Sequence, residues 1–256
     1  MQTTFKTILF ICSILFLSTL WANETETDTD EENHVLKVNK DGIKVYIYRH
    51  KNSKFATFKA TTHINASMGS ILAVLFDAKS SPDWIHGCID SFILKDISFN
   101  ERYHYQIIYV PFPFDNRDFI FHSILKQDPT SKAITITTSS SAEYCKNNSS
   151  KECKKVKQSK LVRVNKSVGT YKLEEDITGT KITWIQHTDP EGNLPAWLVN
   201  QLIKDTPYWT FKLLAEKVKD EKYTFAKLVY NNQGRLIGLN IPTKQPAKEL
   251  AAFPDF

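Results

Sequence analysis

The sequence predicts an α+β domain in which a curved antiparallel sheet is closed by one long C-terminal helix. Six runs between residues 91 and 188 are strand-like, and the short polar connections between them favour antiparallel neighbours. Residues 195–220 then change to helical spacing, over a length of about 39 Å at 1.5 Å per residue. A chain of 256 residues suits one globular domain of about 200 residues.

The first 37 residues are predicted to precede the folded domain. Residues 1–22 combine Lys6, an apolar run and a small residue before Asn23, which is typical of a signal peptide. An uncleaved membrane anchor is the alternative, but the apolar run is shorter than the roughly 20 residues that a spanning helix needs. Residues 23–37 begin with six carboxylates and no apolar group until Val35, which predicts a disordered acidic tether. We therefore expect an exported protein, periplasmic or secreted.

The charge of the chain leaves two interpretations open. The formal net charge is +5, although six carboxylates lie within residues 23–32, so the folded part is basic. This excess serves solubility, or it attracts anionic membrane surfaces. Nucleic acid is not expected as a partner, because the basic residues are dispersed and no nucleic-acid motif is present.

Three cysteines follow the predicted signal peptide. Cys145 and Cys153 flank a polar loop, and in an oxidising compartment they are predicted to form a disulfide. Zinc is the alternative, but no CxxC pair and no His/Cys partner lies at metal spacing. Cys88 is left as a buried free thiol. Neither a metal nor an organic cofactor is expected.

The first part of the domain is predicted to contain a hairpin and a helix. Residues 42–50 and 55–64 alternate and are rich in β-branched and aromatic residues, which is typical of two paired strands. Residues 67–78 have helical spacing with Ser67 as the N-cap. Pro82 is expected to end that stretch, and Trp84 to follow in a loop.

The six later strands are predicted over residues 91–99, 102–110, 117–125, 133–144, 161–175 and 181–188. The basic connection at residues 145–160 is expected to be a surface loop. Residues 223–256 are expected to form a C-terminal extension, with a small hairpin around residues 231–234 and a polar tail.

The final helix has an apolar stripe about 100° wide. Pro207 lies inside this helix and is expected to bend it around a curved sheet. The stripe contains two threonines, whose hydroxyls either bond to a carbonyl one turn earlier or face a ligand. Its members are Val199, Leu202, Ile203, Thr206, Thr210 and Leu213.

Several segments resemble the START domain, the lipid-transfer fold related to the steroidogenic acute regulatory protein. "DGIKVYIYR" at residues 41–49 resembles its opening strand, and "VPFPFDNRDFIF" at residues 110–121 is similar to its P-x-P-x-x-x-R-D stretch. "VRVNKSVGTYKLEE" resembles its strand with VR and then a glycine, and "DPEGNLPAWLVN" at residues 189–200 resembles its entry into the last helix. The similarity runs over about residues 38–222.

The resemblance implies a helix-grip fold, with a hydrophobic tunnel that the final helix closes and a START-like domain at residues 38–222. It further implies a monomeric, non-catalytic protein that binds one lipid, such as a sterol or a phospholipid, and touches membranes transiently. The predicted ligand-binding residues are the six of the stripe and Arg117, which needs a nearby acid if it points into the tunnel. The alternative for Arg117 is a surface pair with Asp118.

Phe112, Phe114 and Trp197 are predicted to form a gate or to contact the membrane, with a place in the core as the alternative. A helix-grip enzyme of the cyclase or hydrolase kind is the alternative function. The sequence has no catalytic motif of a known class, although His187 and Asp189 share a face of one strand. A partner-binding domain without a ligand predicts a filled interior.

Overall fold

The computed structural model of the protein describes residues 34–49 and 53–242. The predicted signal peptide and most of the predicted tether lie outside the described residues, as does the end of the predicted tail. The predicted end of the tether, residue 37, is wrong. Strand β1 begins at Val35, because residues 35–40 alternate and pair with the next strand along the chain.

Strands dominate the described part of the chain. They are β1 Val35–Lys40, β2 Ile43–Arg49, β3 Ala56–Ile64, β4 Cys88–Ser98, β5 Glu101–Ile108, β6 Arg117–Gln127, β7 Ile134–Ser140, β8 Val162–Arg163, β9 Lys166–Asp176, β10 Gly179–Asp189, β11 Lys227–Tyr230 and β12 Leu236–Asn240. The first ten form one sheet in the order β1-β2-β3-β10-β9-β7-β6-β5-β4, with β8 beside β6. All neighbours are antiparallel except β6 and β8. The predicted curved antiparallel sheet is confirmed.

The first helix, α1, buries most of its residues. Helix α1 spans Met68–Phe76, and the Ser67 hydroxyl accepts a hydrogen bond from the Ser70 N–H, which confirms the predicted N-cap. A 3₁₀ turn, Ala78–Ser80, leads into helix α2, Ser81–Trp84. The prediction that Pro82 ends helical structure is wrong, since a proline is tolerated in the first turn of a helix, where its missing N–H is not needed.

The predicted disulfide between Cys145 and Cys153 is confirmed. The predicted surface loop around it contains helix α3, Lys151–Lys157, with Ser150 as its N-cap residue. Both cysteines pack with Leu94, Tyr105 and Ile120 on the outer face of the sheet. The one long strand predicted at residues 161–175 is in fact two, β8 and β9, on either side of residues 164–165.

The C-terminal extension contains the predicted hairpin, which is formed by β11 and β12. The short helix α5, Glu221–Thr224, leads into it. The extension packs closely on α1, because a Cβ at Gly69 would lie only 2.6 Å from the Ala226 carbonyl oxygen. Glycine therefore permits this close approach of two backbones.

The long final helix, α4, spans Ala196–Lys217 with Pro195 as its N-cap residue and Pro207 inside it. It contacts β1, β2, β3 and α2, and thus crosses the sheet. No helix in the described ranges is long and apolar enough to cross a bilayer. The main core joins the later part of α4 to α1 and to the inner face of the sheet.

Candidate functional site

A cavity of about 260 Å³ lies between the inner face of the sheet and the first half of α4. This volume is close to the lower end of the roughly 300–1,000 Å³ that small-molecule sites occupy. Aromatic and aliphatic side chains form most of its wall, and they come from the strands and from α1, α2 and α4. The apolar wall includes Phe58, Leu75, Phe76, Trp84, Ile85, Ile93, Ile108, Phe119, Phe121, Ile136, Tyr171 and Trp184.

Helix α4 contributes only its first half, residues 196–206, which we call the roof half. Val199, Leu202, Ile203 and Thr206 all line the cavity. The other two residues of the predicted stripe do not line it, so the stripe leaves the cavity after Thr206. Thr210 is buried and its hydroxyl accepts a hydrogen bond from the backbone N–H of His86, while Leu213 packs against the main core.

Arg117 begins β6 and lines the cavity with its side chain buried. Carbonyl oxygens take its donors, and the nearby acid that a buried Arg117 needs is Asp115, whose charge favours the guanidinium form. Nε donates to Pro190 O at 3.0 Å, Nη2 donates to Glu191 O at 2.9 Å, and Nη1 donates to Asp115 O. Burial lowers the pKa of Arg117 from its ordinary value. The guanidinium thus joins the loop before β6 to the loop before α4.

Asp118, the next residue, is not the partner of Arg117. Its carboxylate is completely buried and forms two hydrogen bonds with Arg163, at 2.7 and 2.8 Å. The Tyr105 hydroxyl donates a third, at 2.6 Å, and burial with this contact raises the pKa of Tyr105. Tyr105 belongs to the outer-face cluster that holds the disulfide. The predicted surface pair of Arg117 and Asp118 is therefore wrong.

The two loops that Arg117 joins carry exposed aromatic side chains. Phe112, in the loop before β6, is 93% exposed, and Trp197, in the first turn of α4, is 64% exposed. Phe114 is half-buried. None of the three lines the cavity. The two exposed rings exclude the alternative that Phe112 and Trp197 are core residues.

A polar cluster lies on the cavity wall formed by β9 and β10. Gln186 donates from Nε2 to Ser167 Oγ at 2.6 Å and to Thr188 Oγ1 at 3.3 Å, and the two hydroxyls lie 2.7 Å apart. Gln186 Oε1 accepts a hydrogen bond from Trp184 Nε1 at 3.3 Å. Gly169 provides the space, since any Cβ there would overlap with the Gln186 side chain. These polar groups satisfy one another.

His104 is the histidine of the cavity wall. Burial, together with the nearby charge of Arg102, lowers its pKa from 6.5 to about 4, so the ring is neutral at physiological pH. Its Nδ1 lies 3.5 Å from Ser123 Oγ. That separation exceeds the 2.6–3.2 Å typical of a nucleophile and its base. The pair thus lacks the geometry of an activated serine.

His187, the histidine of the alternative enzyme hypothesis, does not line the cavity. Its Nδ1 lies 3.0 Å from Thr57 Oγ1 and its Nε2 lies 3.2 Å from Ser53 Oγ. The Asp189 carboxylate accepts from the backbone N–H of Glu191. Among the described residues, no group of three or more His, Cys, Asp or Glu side chains could hold a metal ion.

Apart from Arg117, sequence reasoning missed the cavity residues that the sheet provides. In β5, Arg102, His104, Gln106 and Ile108 all line the cavity, at intervals of two. In β6, residues 117, 119, 121 and 123 do the same. The period of two in each strand was visible in the sequence. Which parity faces inward was not, because both faces of these strands carry apolar and aromatic residues and both are covered.

The family model of the START domain matches residues 15–215, which is more than half of the chain. The chain belongs to the START domain family. The curved sheet and the long closing helix agree with the helix-grip fold that the resemblance implied.

Individual relatives agree with this assignment. The chain is 29% identical over 182 residues to an uncharacterized protein of Pseudomonas aeruginosa, covering 71% of this chain and 84% of the relative. It is 28% identical to the STAR-related lipid transfer protein of Xanthomonas axonopodis, whose crystal structure aligns with a TM-score of 0.64 over 73% of this chain and 99% of the other. Human STARD10, at 20% identity and a TM-score of 0.60 over 74% of each chain, shows the same fold.

Proposed function

We propose that this START protein binds one lipid molecule in the cavity and carries it between membranes without changing it chemically. The observation that carries the proposal is the apolar cavity beneath the roof half. Its lining is mainly hydrocarbon and aromatic, and each methylene group that leaves water there contributes roughly 0.8 kcal/mol. No cofactor is needed for binding of this kind.

The family and its neighbours support lipid binding in general. The similar protein of Xanthomonas axonopodis is named for lipid transfer. The monomeric state of the carrier also belongs to the proposal.

The proposed gate consists of the loops at residues 109–116 and 190–195, together with the first turn of α4. Arg117 holds the two loops together through carbonyl oxygens. A lipid must separate them or displace the roof half to enter, as mobile loops do in other gated sites. Phe112 and Trp197 are exposed there, and aromatic rings of this kind favour the interface of a membrane. Phe114, which is half-buried in the same loop as Phe112, is proposed as the third residue of this surface.

A carrier is favoured over an enzyme by the chemistry of the cavity wall. The pKa of His104 is lowered to about 4, which makes this ring a weak base, and the Ser123 hydroxyl lies 3.5 Å from its Nδ1. His187 contacts Thr57 and Ser53 and does not line the cavity. No carboxylate belongs to the described residues that line the cavity. A general base for hydrolysis is therefore not assembled on this wall.

Export is part of the proposal. The disulfide between Cys145 and Cys153 is consistent with an oxidising compartment. The periplasm and the secretory pathway both meet this condition. A carrier in either place would exchange lipid with membranes that face it.

The first experiment is native mass spectrometry of the purified protein, followed by extraction of bound lipid. Ile203→Trp is expected to fill the cavity and abolish lipid copurification, since Ile203 lines it. Gln201→Trp adds the same ring at an exposed position of the same helix and is expected to leave the bound lipid in place. If the wild-type protein carries no lipid and moves no labelled lipid between vesicles, the proposal fails.

The second experiment concerns the gate. The double variant Phe112→Ala, Trp197→Ala is expected to slow transfer between vesicles several-fold, because it removes the exposed rings and leaves the cavity lining intact. Equilibrium binding of the same lipid in detergent-free buffer is expected to stay within about twofold. An unchanged transfer rate would show that these rings do not contact the membrane.

A further inference from the structure

Trp84 presents a buried hydrogen-bond donor that the fold does not use. It ends helix α2, lines the cavity and is 3% exposed. Its indole Nε1–H has no acceptor among the residues that the structure describes. A buried donor without an acceptor loses its hydration without replacement, and such groups are rare in folded proteins. An acceptor supplied by the ligand would remove this cost.

A second tryptophan of the same cavity differs from Trp84, because its indole N–H has an acceptor. Trp184 is also buried and also lines the cavity, and its indole N–H donates to Gln186 Oε1. The sheet leaves space for that contact at Gly169, where a side chain would overlap with Gln186. The fold therefore provides an acceptor for one cavity indole and leaves the other open.

The charges of the cavity wall argue against an ionic ligand. No described lining residue is an acid, so a cationic head group would have no counter-charge. The two lining guanidiniums are already engaged. Arg117 donates to three carbonyl oxygens. Arg102 donates from Nη1 to Phe76 O, and its Nε, which has no hydrogen-bond acceptor, lies 3.1 Å from a carboxylate oxygen of Asp96. Because the Asp96 carboxylate already faces this guanidinium as its counter-charge, an anionic head group would have to compete with it.

The remaining polar groups of the wall are neutral. Burial lowers the pKa of His104 to about 4, so this ring carries no charge at physiological pH. Ser167, Gln186 and Thr188 bond to one another. Burying a phosphate or an ammonium group beside such a wall would cost far more than burying a hydroxyl or an ester.

We infer that the cavity selects an uncharged lipid whose hydroxyl or carbonyl oxygen accepts a hydrogen bond from Trp84 Nε1–H. This inference rests on the proposed function, because it names the class of lipid that the same cavity takes. The cavity volume of about 260 Å³ favours one compact molecule over a lipid with two long chains.

The test uses five probes with a ten-carbon chain: decane, 1-decanol, methyl decanoate, decanoate and decylphosphocholine. Each is delivered from a cyclodextrin solution at pH 7.5, and its affinity for the full-length mature protein is measured by displacement of a neutral fluorescent dye. 1-Decanol and methyl decanoate are expected to bind at least about tenfold more tightly than decanoate and decylphosphocholine. If decanoate or decylphosphocholine binds as tightly as 1-decanol, the selection for an uncharged head group is overturned.

Two matched variants test whether Trp84 donates the hydrogen bond to the ligand. Trp84→Phe removes the open N–H and with it the contact to the head group, so the ratio of 1-decanol affinity to decane affinity is expected to fall about tenfold. Trp184→Phe also shortens a cavity ring, but it removes an N–H that already has an acceptor, so this ratio is expected to change less than about twofold. An equal change in both variants would overturn the role of Trp84.

A spectroscopic readout makes the result independent of folding differences between the variants. In protein labelled with ¹⁵N-tryptophan, the indole signal that Trp84→Phe removes is expected to shift on addition of 1-decanol and not on addition of decane. If decane and 1-decanol bind but this signal responds equally to both, only the hydrogen bond is refuted. If no probe binds and no lipid copurifies with the wild-type protein, the proposed function itself fails.

Discussion

The two halves of helix α4 differ in what lies beneath them. In the roof half, the cavity-lining residues Leu202, Ile203 and Thr206 are only half-buried, although they point toward the sheet. In residues 207–217, which we call the anchor half, Phe211 and Leu214 are completely buried in the main core. One helix thus covers a hollow with one half and a solid interior with the other.

Polar contacts follow the same division. The anchor half is held by Thr210, which accepts from the backbone N–H of His86, and by Tyr208, whose hydroxyl donates to the Asp41 carboxylate at 2.6 Å. Lys217 forms ion pairs with Asp83 at 2.9 Å and with Asp220 at 2.7 Å. The contacts to α2 and to the turn between β1 and β2 thus all fall on the anchor half.

Pro207 lies where the two halves meet. A proline has no N–H, so the carbonyl of Ile203, four residues earlier, receives no helical hydrogen bond from it. The helix is therefore weakest at the boundary between roof and anchor. Under the proposed function, the roof half can open while the core stays packed, because the core is held by the anchor half.

The largest expected effect is a difference in stability between two leucine substitutions, one in each half of α4. Leu214→Ala is expected to destabilise the protein by about 2–5 kcal/mol, since it leaves a cavity in a packed core. Leu202→Ala removes the same atoms next to an existing cavity, so its cost is expected to be about 1 kcal/mol or less. Urea denaturation of both variants measures the difference. Equal losses would show that the roof half is as tightly packed as the anchor half.

The next largest expected effect is a loss of stability at low pH, and it reports whether the cavity beneath the roof half excludes water. The unfolded chain protonates His104 below pH 6.5, whereas the folded protein resists protonation until about pH 4. The unfolded state therefore binds more protons in this window, and stability is expected to fall by about 3 kcal/mol as the pH drops from 6.5 to 4. Denaturation at several pH values measures this decline.

His104→Gln is the control for that decline, because it removes the titrating group and keeps a polar side chain at the wall. The variant is expected to lose most of the dependence on pH between 6.5 and 4. An NMR titration of His104 gives the same answer directly. A pKa near 6.5 would mean that water reaches the ring, and the contrast between hollow and core would then need revision.

Loss of the disulfide is expected to lower the stability of the protein without changing its affinity for lipid. Cys145 and Cys153 are 8 residues apart and pack on the outer face of the sheet. Replacing both by serine is expected to cost roughly 2.5 kcal/mol through the entropy of the unfolded chain. Lipid affinity is expected to stay within about twofold, because neither residue lines the cavity. A large loss of lipid affinity would show that the outer face of the sheet affects the cavity.

The strands and the ends of α4 were largely predictable from the sequence. Alternation placed β4 to β7 within a few residues, and Pro195 marked the start of α4. The pairing of β3 with β10 was not predictable, since it joins residues more than a hundred positions apart. Strand β1 was missed because its side chains are mostly exposed and it follows a run of acids.

The candidate site was predictable only in part, for a physical reason. A fixed period of 100° per residue gave Val199, Leu202, Ile203 and Thr206 correctly as one face. It could not tell where along that face the hollow ends, because this depends on side chains from the sheet and from α2. The sequence predicts a loop at Trp84, whereas this residue ends α2, and its open N–H is visible only once its surroundings are known.

The smallest expected effect concerns the two threonines of the predicted stripe, which lie in different halves. Thr210→Val removes the buried hydroxyl that accepts from the backbone N–H of His86, so it is expected to cost about 1–2 kcal/mol. Thr206→Val changes a hydroxyl that lines the cavity, so its effect on stability is expected to be under about 0.5 kcal/mol. Thermal denaturation resolves the pair, because valine has nearly the shape of threonine. If Thr206→Val were the more damaging of the two, its hydroxyl would be a structural contact, and the division between roof and anchor would not pass between these residues.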